Sequence, residues 1–258
     1  MNSFNVLLNK IENAKSLDFG DLISESIELF KKIWLKGFLA ILIIGVAAFL
    51  ISLVFNLIGL ANNMPTTIFT DDFDIGTFSA FYASNVLYSI PQSILIATIT
   101  LALVAAFYRI CNNVVSGSNE EDNYFYFFSK EQFRKVFMLG IIYTAIATVS
   151  QLLFLIPYIY AFVPLSYFAV VLANNPELSE SEIVKASFAL GNKKWLITFG
   201  TMLVAFLLGM LGIIACFIGL LFTISFVYLP SYLIYKEVVG IDDLSEIEQI
   251  GSIEESDY

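Results

Sequence analysis

Four long stretches of this chain carry no formal charge. None of Asp, Glu, Lys or Arg occurs at residues 37–70, 75–108, 136–176 or 195–235. A helix needs about 20 apolar residues to cross the hydrocarbon core of a bilayer. The first stretch holds one such crossing, over residues 37–61, and the second holds another, over residues 85–108. The last two stretches have 41 residues each. As one helix, either would run about 61 Å, roughly twice the core thickness. Each therefore reads as a hairpin of two spans with a tight turn. Pro157 breaks the first of these, giving spans 136–156 and 157–174. Gly209 to Gly212, or the residues just after, break the second, giving spans 195–212 and 213–235. The total is six.

Composition supports lipid over water as the solvent. Of the residues 58% are hydrophobic and 14% charged, against about 25% charged in an ordinary soluble domain. A transmembrane barrel strand would alternate apolar and polar residues over about ten positions. The run from Ile41 to Leu50 is apolar on every side instead. Nor does the N-terminus read as a secretory signal, because Glu12, Asp18, Asp21, Glu25 and Glu28 precede the first apolar run. The expected fold class is an all-α membrane protein.

The basic residues set the expected orientation. Lys10, Lys15, Lys31, Lys32 and Lys36 precede the first span, and Arg109, Lys130, Arg134 and Lys135 lie between the second and third. Lys185, Lys193 and Lys194 lie between the fourth and fifth, and Lys236 follows the sixth. With six spans all thirteen basic residues fall on one side. The opposite loop, about residues 62–84, has none and carries Asp71, Asp72 and Asp74. This predicts an inner-membrane protein with both termini cytoplasmic. Residues 1–20 form a cytoplasmic N-terminal segment, 21–236 the membrane domain and 237–258 an acidic tail expected to lack order. The tail holds 8 of the 23 acidic residues and no basic one. The net charge of −10 thus describes mainly the tail.

Several chemistries are excluded at once. With no histidine, imidazole-based catalysis, proton shuttling and His-ligated metals are absent. The acidic balance argues against a nucleic-acid partner. Two cysteines, Cys111 and Cys216, are too few for a disulfide framework. No cofactor and no metal site is expected.

A threefold pattern runs through the chain. Phe30-Lys31-Lys32-Ile33-Trp34, Phe133-Arg134-Lys135-Val136-Phe137 and Asn192-Lys193-Lys194-Trp195-Leu196 each place a basic pair at the start of an odd-numbered span. Amphipathic stretches precede them. Ile23, Ile27, Phe30 and Trp34 recur at helical spacing. Ser179 and Glu182 form a capping-box pattern ahead of Ile183, Val184, Ser187 and Phe188. Tyr124 to Phe133 is aromatic and less regular. These stretches are expected to lie flat at the interface and turn sharply into the next span. The architecture would be three repeats of interfacial helix plus transmembrane hairpin.

Residues 21–36, the Pro157-centred hairpin, the segment from Ser181 to Asn192 and the closing Tyr235-Lys236-Glu237 together carry a resemblance. They resemble a six-helix bacterial integral membrane family, largely of unknown function, that includes the glycerophosphoryl diester phosphodiesterase membrane domain. The similarity covers roughly residues 18–240 and rests on packing and capping features, so it implies a fold more than an activity. A carotene-oxygenase label attached to some members implies a histidine-bound iron, which a chain without histidine lacks the ligands to hold. The histidine-dependent phosphodiesterase domain has no counterpart here.

Within the spans, Asn56, Gln92 and Gln151 are the candidate intramembrane polar contacts. Such amides either hydrogen-bond between helices or line a polar path, and the first is the commoner use. No carboxylate or cation lies inside the predicted spans, which argues against ion-coupled transport. Pro91, Pro164 and Pro230 read as kinks, and Gly200, Gly209, Gly212 and Gly219 as close-packing positions. Lys31, Lys32, Arg134, Lys135, Lys193 and Lys194 are candidate lipid-headgroup contacts, with plain interfacial anchoring as the alternative.

Together these residues predict a non-enzymatic multi-pass protein acting as a scaffold or accessory factor. The alternative is a binder or passive transporter of a lipid or hydrophobic small molecule. The partners expected are membrane lipids and, for the first reading, a membrane or cytoplasmic protein.

Overall fold

The computed structural model describes residues 3–59, 75–118, 120–153, 156–215 and 218–240. Six of its helical stretches are long and apolar enough to cross a membrane, and among the described residues there is no strand. Asp71, Asp72, Asp74, Cys216 and residues 241–258 of the acidic tail lie outside the described residues.

The chain opens with a short helix, α1 (Ser3–Glu12). The first spanning helix, α2, runs unbroken from Phe19 to Leu57. Asp18 caps it by accepting from the Asp21 backbone N–H at 3.0 Å. Here the structure corrects the expected sharp turn at Lys31–Trp34. No proline falls between residues 19 and 57, so nothing in the backbone forces a break. Gly37 seats the unbroken helix against Ser225, whose Cβ lies 2.7 Å from where a Cβ on residue 37 would stand.

Helix α3 (Ile75–Tyr88) occupies part of what the sequence suggested as an outer loop. A break at Ser89, followed by Pro91 in the first turn, starts α4 (Ile90–Ser116). Proline is at home there because the first-turn N–H groups have no intrahelical partner. This helix continues beyond the predicted end at residue 108, to Gly117 in the left-handed conformation. It is the axis of the fold. Ala102, Ala105, Ala106, Phe107 and Tyr108 are fully buried on all its sides, and it packs most heavily on α2, α5 and α7.

A 3₁₀ turn (Tyr126–Phe128) leads into α5 (Lys130–Leu152). The fourth span is two pieces, α6 (Ile156–Ser166) and α7 (Phe168–Asn174), separated just after Pro164. The α8 helix (Glu180–Lys193) then crosses the end of the bundle before α9 (Trp195–Met210). The last span combines α10 (Ile218–Thr223), a 3₁₀ turn (Ile224–Tyr228) and α11 (Leu229–Val239).

Burial sorts the helices into centre and rim. Along α2, Phe49 is 65% and Leu57 77% exposed, as expected of a helix whose outer face meets acyl chains. The centre is filled by large side chains, with Tyr108, Tyr167, Tyr232, Tyr235, Phe107 and Phe168 all fully buried. Helices in lipid gain little from burying apolar surface against one another, so close packing and interhelical hydrogen bonds hold them. Tyr108 shows both. Its hydroxyl donates to the Tyr228 carbonyl at 3.0 Å and shares a 2.9 Å bond with Ser231, while its ring stacks on Tyr232.

Candidate functional site

At one end of the bundle the C-termini of α4, α7 and α11 come together with α1 and α8 packed over them. A helix C-terminus leaves its last carbonyls without intrahelical partners and carries partial negative charge. The chain supplies lysines and amides to meet them.

Lys10 of α1 donates to the carbonyl of Val239, the last residue of α11, at 2.8 Å. Lys135 of α5 donates to the Pro176 carbonyl just past α7, and Lys194 donates to the Lys15 carbonyl in the segment joining α1 to α2. Asn112 donates to the Asn174 side chain at 2.8 Å, and Asn175 donates to the Tyr235 hydroxyl at 2.6 Å. Lys36 forms an ion pair with Asp122 at 2.7 Å, and Tyr124 donates to the Lys36 carbonyl at 3.0 Å. Arg109 lies 4.0 Å over the ring of Tyr126, a cation–π distance. These links fasten the shorter elements at this end to the spanning helices.

The basic pairs are divided by this arrangement. In two of them the second residue turns inward to a carbonyl, Lys135 to Pro176 and Lys194 to Lys15, while Arg134 and Lys193 stay exposed. Lys194 is only 7% exposed. Its ammonium is held below the usual lysine pKa, first by burial and then by the neighbouring Lys193. Lys31 and Lys32 both remain exposed on α2. Trp195, beside the third pair, donates to the Tyr160 carbonyl at 3.0 Å and stacks on Phe199.

The three intramembrane amides differ. Gln92 donates to Ser52 at 3.0 Å, a bond between α4 and α2. Asn56 is exposed near the end of α2, and Gln151 is half-buried near the end of α5. Of the small residues that allow close approach, Gly191 was not singled out by sequence. A Cβ there would stand 2.6 Å from the Pro164 backbone Cα, so α8 lies directly on α6.

Sequence reasoning also missed the carbonyl contacts made by Lys10, Asn174 and Asn175 and the link from Asn112 to Asn174. A signal was there: Asn174-Asn175-Pro176 punctuates the end of an apolar run, which is the chemistry of a helix stop. Cys111 is buried and free. No group of three or more Asp, Glu or Cys placed to hold a metal occurs among the described residues.

The spans and the tied end define the class: this is a multi-pass α-helical membrane protein. No protein-family model, no curated protein and no solved structure matches the chain.

Proposed function

We propose that the chain is a non-enzymatic scaffold or accessory factor of the cytoplasmic (inner) membrane, with both termini in the cytoplasm. The observation that carries this reading is the build of the basic end. Lys10, Lys36, Lys135 and Lys194 pin α1, the segment around Asp122 and α8 to the ends of the spans. Side chains spent on fixing a surface favour a platform of defined shape. Arg134, Lys185 and Lys193 stand exposed on it, and under the positive-inside rule this end faces the cytoplasm.

The centre of the bundle supports the same reading, since the space between spans is occupied by the rings of Tyr108, Tyr167, Tyr232 and Phe168. The test is crosslinking of the full chain in its native membrane, followed by purification in mild detergent and identification of what is co-purified. A stoichiometric protein partner, lost when Arg134, Lys185 and Lys193 are changed to Glu, is the expected result. Repeated recovery of the chain alone would overturn the proposal.

A further inference from the structure

A second feature of the basic end is an open pocket of about 230 Å³ between α2 and the last turns of α4 and α11. Five charged side chains line it: Glu25, Glu28 and Lys32 from α2, and Lys236 and Glu237 from α11. The three α2 residues share a face because helix positions three and four apart are neighbours. Leu29, Leu233, Val114 and Val115 form its apolar lining. Three acids facing two bases leave the pocket one unit negative, and among the described residues none of the five forms an ion pair with another. Burial first, and then Glu237, Asp21 and Glu28, push the Glu25 carboxyl above its ordinary pKa, against the opposing pull of Lys236.

Charges of both signs around one small apolar-lined space call for a guest that also carries both. We propose that this pocket binds an ammonium–phosphate zwitterion of the phosphoethanolamine type. The ammonium sits among Glu25, Glu28 and Glu237, and the phosphate against Lys32 and Lys236. A purely anionic guest would meet three carboxylates and a simple cation would leave both lysines unmatched. A quaternary ammonium lacks N–H donors, and the lining holds no aromatic ring to receive it by cation–π contact. Pockets for drug-sized ligands run from about 300 Å³ upward, so about 230 Å³ suits a headgroup and excludes its acyl chains. Lys32 stands two residues before Trp34, a residue favoured at headgroup depth. The same chemistry is carried by phosphatidylethanolamine and by free O-phosphoethanolamine.

The site does not rest on the scaffold reading, and its failure would leave that reading untouched. The full chain is reconstituted in nanodiscs of mixed phosphatidylethanolamine, phosphatidylcholine and phosphatidylglycerol, and co-retained lipid is read by native mass spectrometry. The expected result is a preference of about tenfold for the ethanolamine lipid over the choline lipid, a difference of about 1.4 kcal/mol. Glu25→Gln with Glu237→Gln abolishes it, and Lys130→Gln, exposed at the start of α5 and away from the pocket, leaves it intact. If that double variant misfolds, Glu237→Gln alone provides the same comparison with a smaller loss. A parallel arm adds millimolar O-phosphoethanolamine and follows its binding. Binding of the free compound with the same variant sensitivity, without lipid preference, supports the pocket with a soluble guest. Equal retention of the three lipids without binding of the free compound, or a preference that the Glu substitutions do not reduce, overturns it.

Discussion

The first and third basic pairs sit in near-identical sequence contexts and in opposite structures. Lys31-Lys32 and Lys193-Lys194 each follow an amphipathic stretch and precede a tryptophan. Yet α2, 39 residues long, runs unbroken through the first, while the chain breaks at Lys194 between α8 and α9. The difference lies in what each stretch packs on. Gly191 presses α8 flat against the Pro164 backbone, and α1 covers its other side through Leu7 and Ile11. Lys194 is then drawn to the Lys15 carbonyl, with its backbone at φ −115° and ψ 21°. Gly37 faces side chains, those of Ser225 and Phe107, and α2 continues past it unbroken. A basic pair beside an aromatic does not by itself bend the chain; tertiary docking decides whether the helix breaks.

The largest expected effect separates the two glycines. Gly191→Ala drives a Cβ into proline backbone that has no rotamer to move, 2.6 Å from Cα and 2.9 Å from N. A loss of about 2–3 kcal/mol follows from overpacking of this kind. Gly37→Ala meets the Ser225 Cβ at 2.7 Å, and Ser225→Gly removes the atoms in conflict. Thermal unfolding in detergent should show the Gly37 variant restored by that second change. No substitution of the Pro164 side chain alone should restore Gly191→Ala. Equal tolerance of both alanines would refute the packing account of the bend.

A smaller effect is expected from the lysines themselves. Lys194→Ala removes the bond to the Lys15 carbonyl and releases the segment between α1 and α2, whereas Lys31→Ala, at an exposed position, removes nothing structural. A hydrogen bond from a charged donor contributes about 1.5 kcal/mol or more, enough for about tenfold in local opening. Limited proteolysis between Asn13 and Asp18 should quicken by about that factor in Lys194→Ala alone. Lys194→Met separates lost packing from the lost bond: it should be cleaved faster than wild type if the bond is what holds the segment.

How much of this was legible in the sequence follows the range of each interaction. Charge-free runs report local solvent, so the six spans could be read off the chain, and Pro157 falls in the first turn of α6. Gln92 was likewise legible as a polar residue among apolar ones, and its partner Ser52 stands on a neighbouring helix. The docking of α1 was not legible, because Leu7 and Ile11 gain their burial from α8 and α11, over 160 residues away. The seat of α2 against Ser225 and of α8 against Pro164 likewise depends on residues of other helices. Of the candidate site, the residue types were visible, but the split between inward and outward lysines depends on which carbonyls the fold brings near.

The finest contrast between the two stretches is in how each begins, and pH resolves it. The Glu182 carboxylate accepts from the Ser179 N–H at 2.9 Å and from its hydroxyl at 2.7 Å. These bonds hold its pKa below the ordinary carboxylate range, aided by Lys185 and Lys135. A carboxylate whose folded pKa is depressed adds stability above its unfolded pKa, and that stability is lost as pH falls through the folded value. The first turn of α8 should therefore open more readily in acid. Between about pH 6 and about pH 3, amide exchange at residues 180–183, corrected for the intrinsic rate, should rise roughly two- to threefold. Glu182→Gln retains an acceptor for the Ser179 N–H but has no charge to lose, so its profile at the same amides should be flat. Because Lys194 stays tied to the Lys15 carbonyl, the acid-induced opening should stop within that first turn. If it instead spreads to residues 13–18, α8 and its bend are held by the cap more than by Gly191 and Lys194, and the account of why the two stretches differ would have to be reversed.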